Sequence, residues 1–248
     1  YIVGGTSSNR MIKYNIATGV AVDVAPIPLY RRQKQMAYHD GKIYVIGGNI
    51  GTTAYNNNQI YDIATNTWSN GTPDPTNQCA GACVVEGDNI HVMGGSTGGT
   101  ILTSVNNIYN ITTDTWSTGA PMLYQGQVGV HVEVGNALHI IGVYSGSRST
   151  NDTHQIYNIT TDTWSTGAPL PYGRRYSGGC VFKGEIWVIG GENSDRVDVF
   201  NLVENTWREE ETLPNADIMS QRVLDIDNNH IYAFSLGAAN KVYYYHPK

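Results

Sequence analysis

A stretch of fourteen residues occurs twice in this chain without a single change. It reads IYNITTDTWSTGAP at 108–121 and again at 156–169, an offset of 48 residues. The pattern continues at lower similarity, as a tryptophan preceded by an aromatic residue seven positions earlier. The tryptophans are Trp68, Trp116, Trp164 and Trp207, and the aromatics are Tyr61, Tyr109, Tyr157 and Phe200. Spacings of 48, 48 and 43 residues restrict the chain to an array of similar units that bury their apolar surface against neighbouring units.

A second marker, apolar residues followed by a glycine pair, runs in phase with the first. It occurs at 1–5, 44–48, 91–95 and 187–191, with degenerate copies at 139–143 and 232–236, which gives six units. Within a unit, alternating apolar residues, a tight-turn dipeptide such as Asp40-Gly41 and a buried apolar run indicate four short strands. No segment keeps the 3.6-residue period of a helix. We therefore predict an all-β fold of four-stranded antiparallel sheets repeated radially, which is the architecture of a propeller.

The charge balance excludes one broad class of function. Lys and Arg number 15 and Asp and Glu 21, which gives a net charge of −6, whereas sequence-independent binding of nucleic acid requires a basic face. No apolar run reaches the length of about 18 residues that a membrane helix needs, so we expect no membrane insertion. The odd count of three cysteines, without Cys or His pairs at zinc-ligand spacing, predicts no disulfide framework, no metal and no cofactor.

The glycine pair, the tyrosine nine to fourteen residues later and the tryptophan seven residues after that resemble the kelch repeat. The resemblance covers nearly all of the chain and implies a six-bladed kelch propeller. The implied blades are, approximately, 1–30, 31–76, 77–124, 125–172, 173–216 and 217–248. The first blade begins in its second strand and the last ends in its third, so both are expected to be incomplete in this piece. Ring closure is then expected to use flanking sequence, within a larger chain or assembly.

Kelch proteins that resemble this one meet their ligands at the loop face around the central channel. Counting back from each hairpin turn and forward from each glycine pair gives the residues expected at the channel mouth. They are Arg31, Gln33, Asn77, Gln125, Gln127, Tyr144, Arg174, Tyr176, Glu192 and Gln221. Their amides and two arginines suit a carboxylate, a sugar or an acidic peptide; arginines in kelch repeats also hold neighbouring blades together. The loops that follow the glycine pairs are longest in blades two, three and four, which predicts a ridge on one side.

Three functions compete for such a mouth. A non-catalytic binding module for a protein or glycan partner is favoured, because the repeats carry no fixed catalytic constellation. The alternative is a sugar-acid mutarotase or epimerase resembling N-acetylneuraminate epimerase, with Arg31, Arg174 and Glu192 as the candidate residues. A copper oxidase resembling galactose oxidase is rejected, because Tyr176 and Cys79 lie in different blades and no histidine joins them.

The histidines and the overall composition complete the expectations. His91 and His139 align with second-strand aromatics such as Tyr44 and Trp187, so we expect them to pack in the framework. The low charge and the abundance of Thr and Asn favour an extracellular, cell-surface or virion setting over the cytoplasm.

Overall fold

The computed structural model of this chain describes residues 1–5, 8–15, 18–98, 101–146, 152–192, 194–210, 212–213, 222–225, 231–234 and 242–245. Among these residues there are strands, turns and irregular segments but no helix. No helix in this described part has the length and apolar character needed to cross a membrane. The predicted all-β fold is therefore confirmed. Gln221, one of the ten residues expected at the mouth, lies outside the described residues.

The chain divides into two compact units, and the first is Tyr1–Pro121. Its first sheet is three-stranded and consists of β1 (Ile2–Gly5), β2 (Ser8–Asn15) and β3 (Val20–Val24). Its second consists of β4 (Gln35–His39), β5 (Lys42–Ile46), β8 (Asn58–Asp62) and β9 (Thr67–Gly71), with a separate hairpin of β6 (Asn49–Ile50) and β7 (Thr53–Ala54). The third consists of β11 (Ala82–Glu86), β12 (Asn89–Met93), β15 (Asn106–Asn110) and β16 (Thr115–Thr118). A small sheet beside it is formed by β10 (Gln78–Cys79), β13 (Ser96–Thr97) and β14 (Ile101–Leu102).

The second unit is Met122–Lys248 and repeats the same topology. Its first sheet consists of β17 (Val130–Val134), β18 (Ala137–Ile141), β19 (His154–Asn158) and β20 (Thr163–Thr166). Its second consists of β21 (Gly178–Phe182), β22 (Glu185–Ile189), β23 (Val197–Asn201) and β24 (Thr206–Glu209). Its third is three-stranded and consists of β25 (Arg222–Asp225), β26 (Ile231–Phe234) and β27 (Val242–Tyr245). Within the described residues, each of the six predicted repeats contains one main sheet of three or four strands, and two of the repeats carry a small additional sheet.

The second strand of each four-stranded sheet is the most buried. In β5, β12, β18 and β22 the last four of the five residues are all buried. Such strands are covered on both faces, which explains their continuous apolar run in the sequence. The buried clusters repeat this pattern within each unit: Tyr44 packs with Ile90 and Tyr109, and Val188 packs with Val130 and Phe200.

The turn that joins the first and second strands exists in two forms. Asp40-Gly41 and Lys183-Gly184 have positive φ at both residues, as a type I′ turn requires. Gly87-Asp88 and Gly135-Asn136 have positive φ only at the glycine, which is the type II′ form. The glycine is therefore the second turn residue in the repeats of β4 and β21 and the first in those of β11 and β17. Counting positions from this glycine shifts the alignment of repeats by one residue.

The repeated Tyr and Trp residues, with the Asp or Asn between them, bind the segment that connects their repeat to the preceding one. We call this arrangement the clasp. The Trp116 indole Nε1 donates a hydrogen bond to the Thr72 carbonyl at 2.8 Å, and Asp114 Oδ1 accepts from the Thr72 N–H at 2.7 Å and from the Tyr109 hydroxyl at 2.7 Å. Asp114 has a φ of 54°, a conformation that Asp and Asn tolerate better than most residues. Equivalent bonds join Trp68 and Asn66 to Ala25, and Trp207 and Asn205 to Ala168.

Candidate functional site

Each four-stranded sheet has an entry end, at which its first strand begins and its second strand ends. There, the segment before the first strand bridges to the residue after the glycine pair. The bridged pairs are Arg32 with Asn49, Cys79 with Ser96, Gln127 with Tyr144, and Arg175 with Glu192. Glycine is required at the approach, because a Cβ on Gly48 would lie 2.7 Å from the Arg32 carbonyl oxygen and one on Gly95 would lie 2.2 Å from that of Cys79. The long loops of the repeats of β4 and β11 fold into their own hairpins beside these bridges.

Arg174 is buried at the entry end of its sheet and is fully engaged by it. Its Nε donates to the Gly190 carbonyl at 2.7 Å and its Nη2 donates to that of Val188 at 3.1 Å. Its Nη1 donates to the Tyr172 carbonyl and to a carboxylate oxygen of Asp198, which is 0% exposed. Burial lowers the pKa of Arg174, and the Asp198 charge opposes that shift. Arg174 therefore serves as a link between the loop and two strands of its own sheet.

Asp198 holds a second arginine on its other oxygen. Arg196 Nη2 lies 3.0 Å from Asp198 Oδ1 and 3.1 Å from Glu209 Oε2, and its guanidinium carbon lies 5.8 Å from the centre of the Tyr172 ring. The hydrogen bond to Asp198 raises the pKa of Arg196. This network places a half-buried cation beside the exposed Tyr172.

The third strand supplies a similar tie in the other repeats. At the Asp198 position, Asn107 donates to Asp74 Oδ1, and Gln155 accepts from the Tyr124 N–H at 2.9 Å. Asp74 is 0% exposed, and burial raises its pKa to about 7. In these three repeats the residue two positions before the clasp aromatic thus fastens the entry segment, by a different chemistry in each.

Arg31 occupies the Arg174 position in the repeat of β4 and is 0% exposed. Its Nη2 donates to the Val45 carbonyl at 3.3 Å, whereas its Nε and Nη1 contact no acceptor in the part of the chain that the structure describes. Burial lowers its pKa to about 10, and Tyr55 is the group that opposes the shift. The guanidinium therefore remains charged at neutral pH inside the sheet end.

Arg175, next to Arg174, lies in a half-buried cluster that crosses two repeats. Its Nε and Nη2 donate to the two carboxylate oxygens of Glu192, both at 2.7 Å. Its guanidinium carbon lies 5.0 Å from the ring centre of Tyr144 and 5.1 Å from that of Tyr176, distances at which a cation is attracted to an aromatic face. The bond to Glu192 raises the pKa of Arg175 above its usual range. We call Tyr144, Arg175, Tyr176 and Glu192 the Arg175 cluster.

Further tyrosines extend this surface at the entry ends of the same two repeats. Tyr124 and Tyr172, each six residues before a first strand, are 49% and 61% exposed. Gln125 is exposed and Gln127 half-buried. The C-terminal unit thus presents four tyrosines, two amides and a fixed arginine on described entry segments. Such amphipathic aromatic groups contact ligands with their ring faces and donate hydrogen bonds from their hydroxyls.

Two histidines pair inside the repeat of β17. His139 Nδ1 lies 2.9 Å from His154 Nε2, and His154 Nδ1 lies 3.2 Å from the Ala168 carbonyl oxygen. Because a carbonyl only accepts, neutral His154 carries its proton on Nδ1, and its Nε2 accepts from His139. Burial lowers the pKa of each imidazole to about 4, and both rings pack against Phe200. The expected framework position of His139 agrees with this burial.

A polar cavity of about 160 Å³ lies at the opposite end of the second and third sheets, where the Asp40-Gly41 turn is located. Asp88 there is 3.4 Å from His39 Nε2 and accepts a hydrogen bond from Thr112. None of the residues expected at the mouth lines this cavity. Among the described residues no group of three or more His, Cys, Asp or Glu side chains has the arrangement of a metal site.

The repeats of this chain are similar to those of known proteins. Sequence models described as Kelch motif match residues 30–75 and 173–214, and a second one matches 77–123, together more than half of the 248 residues. The chain belongs to the kelch-repeat family. Kelch-like protein 6 of Homo sapiens is 30% identical over 104 residues, and Kelch-like protein terF of Aspergillus terreus is 33% identical over 96 residues. These matches cover 42% and 36% of this chain but only 17% and 21% of the two relatives' lengths.

A solved structure, described as the structure of YjhT, shares the fold of this kelch chain. The two superpose with a TM-score of 0.82 over 96% of this chain and 88% of the other, at 16% sequence identity. The fold is thus an all-β kelch propeller built of four-stranded antiparallel sheets. The count of six blades stays a prediction.

The nine described residues expected at the kelch mouth fall into three groups. Arg31 and Arg174 are buried, and their contact with a partner stays a prediction. Gln33, Asn77 and Gln125 are exposed, whereas Gln127, Tyr144, Tyr176 and Glu192 are half-buried. The structure joins the last three into one cluster around Arg175.

Sequence reasoning missed Arg175 because it counted from the turn glycine, which selects Arg174 and Tyr176. The ladder register instead makes Arg175 equivalent to Gln127. Counting seventeen residues back from Glu192, the spacing of every bridged pair, would have found it.

Proposed function

We propose that this chain is a non-catalytic binding module that recognises a protein partner through the Arg175 cluster and the tyrosines beside it. The observation that carries the proposal is the arginine held by Glu192 between Tyr144 and Tyr176. Arginine and tyrosine dominate the energetic centres of protein interfaces. An arginine already fixed in its bound geometry loses less side-chain entropy on binding.

The surroundings of the cluster support a protein contact. Exposed Tyr124 and Tyr172 and the amides of Gln125 and Gln127 surround a half-buried centre with groups that form hydrogen bonds. This distribution, with aromatics and arginine inside and polar groups outside, is the usual anatomy of an interface. The two Kelch-like relatives match only part of their lengths, so the partner is a matter for experiment.

The epimerase alternative has less support at the residues it requires. All three nitrogens of Arg174 donate within its own repeat, and both oxygens of Glu192 accept from Arg175. An acid–base catalyst needs a group free to exchange a proton with its substrate. We therefore do not propose a catalytic function.

Selection of a random peptide library on the purified chain tests the proposal. Synthetic versions of the enriched peptides are titrated against wild type, Arg175→Ala and Arg208→Ala. Arg208 is the matched control because it also forms a two-bond pair with one glutamate, Glu185, but on the outer strand β24. We expect Arg175→Ala to raise Kd by about tenfold to thirtyfold and Arg208→Ala to leave it unchanged.

Two results contradict the proposal. One is a Kd of the selected peptides that Arg175→Ala leaves at the wild-type value. The other is a chain that enriches no peptide yet binds defined oligosaccharides on an array, which would assign the surface to glycans.

A further inference from the structure

Arg31 and Arg174 occupy the same position in two copies of one scaffold. The ladder register aligns Gln35 with Gly178 at the start of the first strand, so each arginine lies four residues before that strand. Each Nη2 donates to the carbonyl of the same second-strand valine, at 3.3 Å to Val45 and 3.1 Å to Val188. The two guanidinium groups therefore enter their sheets in the same way.

The two repeats differ in the residue that faces the guanidinium. Asp198 in the third strand neutralises Arg174, and the aligned residue in the repeat of Arg31 is Gln59, as the ladders place it two positions before Tyr61. Gln59 is 3% exposed, and its Oε1 receives no hydrogen bond. A glutamine supplies no negative charge, so this repeat keeps the buried cation and lacks the anion.

A buried charge without an opposite charge nearby destabilises the folded state. Removing one partner of a buried ion pair strongly destabilises a protein, because the other charge stays desolvated. Arg31 keeps one hydrogen bond from Nη2, while Nε and Nη1 have no acceptor among the described residues. Of the described groups, Tyr55 is the one that favours the charged form. A neutral water satisfies donors but does not offset the charge.

We propose that Arg31 and Gln59 form a buried site for one small monovalent anion, a halide or the carboxylate of a small acid. The anion takes the place that the Asp198 carboxylate has in the other repeat. It accepts hydrogen bonds from Arg31 Nε and Nη1 and from the Gln59 amide, which turns its nitrogen toward it. A bulky anion is excluded because both side chains are nearly fully buried.

Thermal unfolding of the whole chain at constant ionic strength tests the site, with sodium chloride, sodium acetate or sodium gluconate as the salt. Gluconate is the size control. Chloride, acetate or both are expected to raise the midpoint of wild type by about 2–4 °C over gluconate, and the effective salt identifies the source of the anion. Gln59→Glu supplies the carboxylate covalently, so we expect it to abolish the difference and to raise the midpoint in gluconate.

The other repeat provides a matched variant. Asp198→Asn leaves Arg174 and Arg196 without their shared carboxylate, and we expect its midpoint to become dependent on the small anion. Equal wild-type midpoints in all three salts overturn the proposal, and so does a Gln59→Glu variant that keeps the wild-type response. If chloride is the effective salt, crystals grown in bromide give a readout that needs no variant: an anomalous peak within hydrogen-bond distance of the Arg31 guanidinium supports the site, and no such peak there contradicts it.

Discussion

The repeats that carry Arg31 and Arg174 share a backbone and differ in how one charge is balanced. In both, a buried arginine donates to the second strand. Asp198 accepts a hydrogen bond from Arg174, whereas the aligned residue in the repeat of Arg31 is Gln59. The repeated backbone therefore fixes where the arginine side chain enters its sheet, whereas a single residue of the third strand determines whether the arginine charge is neutralised.

The entry segments of the two units differ in a second way. At the shared position of Tyr144 and Glu192 the repeat of β11 has Ser96, and at the positions of Arg175 and Tyr176 it has Cys79 and Ala80. The C-terminal repeats instead place aromatic rings around a fixed arginine. The same scaffold therefore presents small residues in one place and an interface-like cluster in another.

The largest effect is expected from breaking the balanced arginine. Asp198→Asn leaves two arginines facing a neutral amide in a buried position, so the free energy of unfolding should fall by about 3–5 kcal/mol. Urea denaturation measures the change, in gluconate so that no small anion replaces the carboxylate. Glu185→Gln removes a partly exposed partner of Arg208 and should cost only about 0.2–1 kcal/mol; equal losses for the two variants would contradict this view of Arg174.

The histidine pair should make the stability of its repeat depend on pH. The unfolded chain takes up protons on His139 and His154 near pH 6.5 and the folded chain only near pH 4. The free energy of unfolding should therefore fall as pH is lowered from 6.5 to 4, by about 3 kcal/mol for each of the two histidines. The double variant His139→Tyr with His154→Asn restores the residues that the repeat of β4 has, Tyr44 and Asn58, and should flatten this fall. Denaturant titrations at several pH values give the result, and an equally steep fall in the double variant would count against the pair.

The tryptophan hydrogen bond of the clasp should be equally strong in both units, because its length is the same, although Phe200 replaces the clasp tyrosine in the repeat of β21. Trp116→Phe and Trp207→Phe each remove one indole hydrogen bond to a carbonyl at 2.8 Å. We expect each substitution to lower the free energy of unfolding by about 1–2 kcal/mol. Chemical denaturation of the two variants side by side checks the equality, and a loss in only one of them would refute it.

The smallest stability change is expected at the cluster assigned to binding. Arg175 and Glu192 are partly solvated, with side chains 23% and 22% exposed, so Arg175→Ala should change the free energy of unfolding by less than about 1 kcal/mol. A destabilisation as large as that of Asp198→Asn would make Arg175 a scaffold residue, and calorimetric scans of both variants distinguish these outcomes.

The sequence was sufficient for the fold because the constraints that build it are local. The Trp and Tyr of the clasp, the turn glycines and the buried second strands each leave a periodic signature, and the structure confirms the all-β sheets they predict. Tyr144 and Glu192 were found because they follow the glycine position directly.

The rest of the site depends on features that leave no periodic signature. A type I′ and a type II′ turn place glycine at different positions, which moved the count from Arg175 to Tyr176. The burial of Arg31 and Arg174 follows from the reach of a long side chain toward a second-strand carbonyl. Whether a carboxylate neutralises the buried arginine depends on one third-strand residue, Asp198 or Gln59. The spacing of the repeated residues does not reveal which residue type is present there.

Hydrogen exchange of the chain with and without a selected peptide tests most directly whether the partner is met at the Arg175 cluster. We predict slower amide exchange in segments 123–127, 144–146 and 172–177 when the peptide is bound. In Arg175→Ala, the same peptide should change the exchange rates of those segments little. Protection confined to segments 30–34 and 49–54, with exchange around Arg175 unaltered, would contradict it.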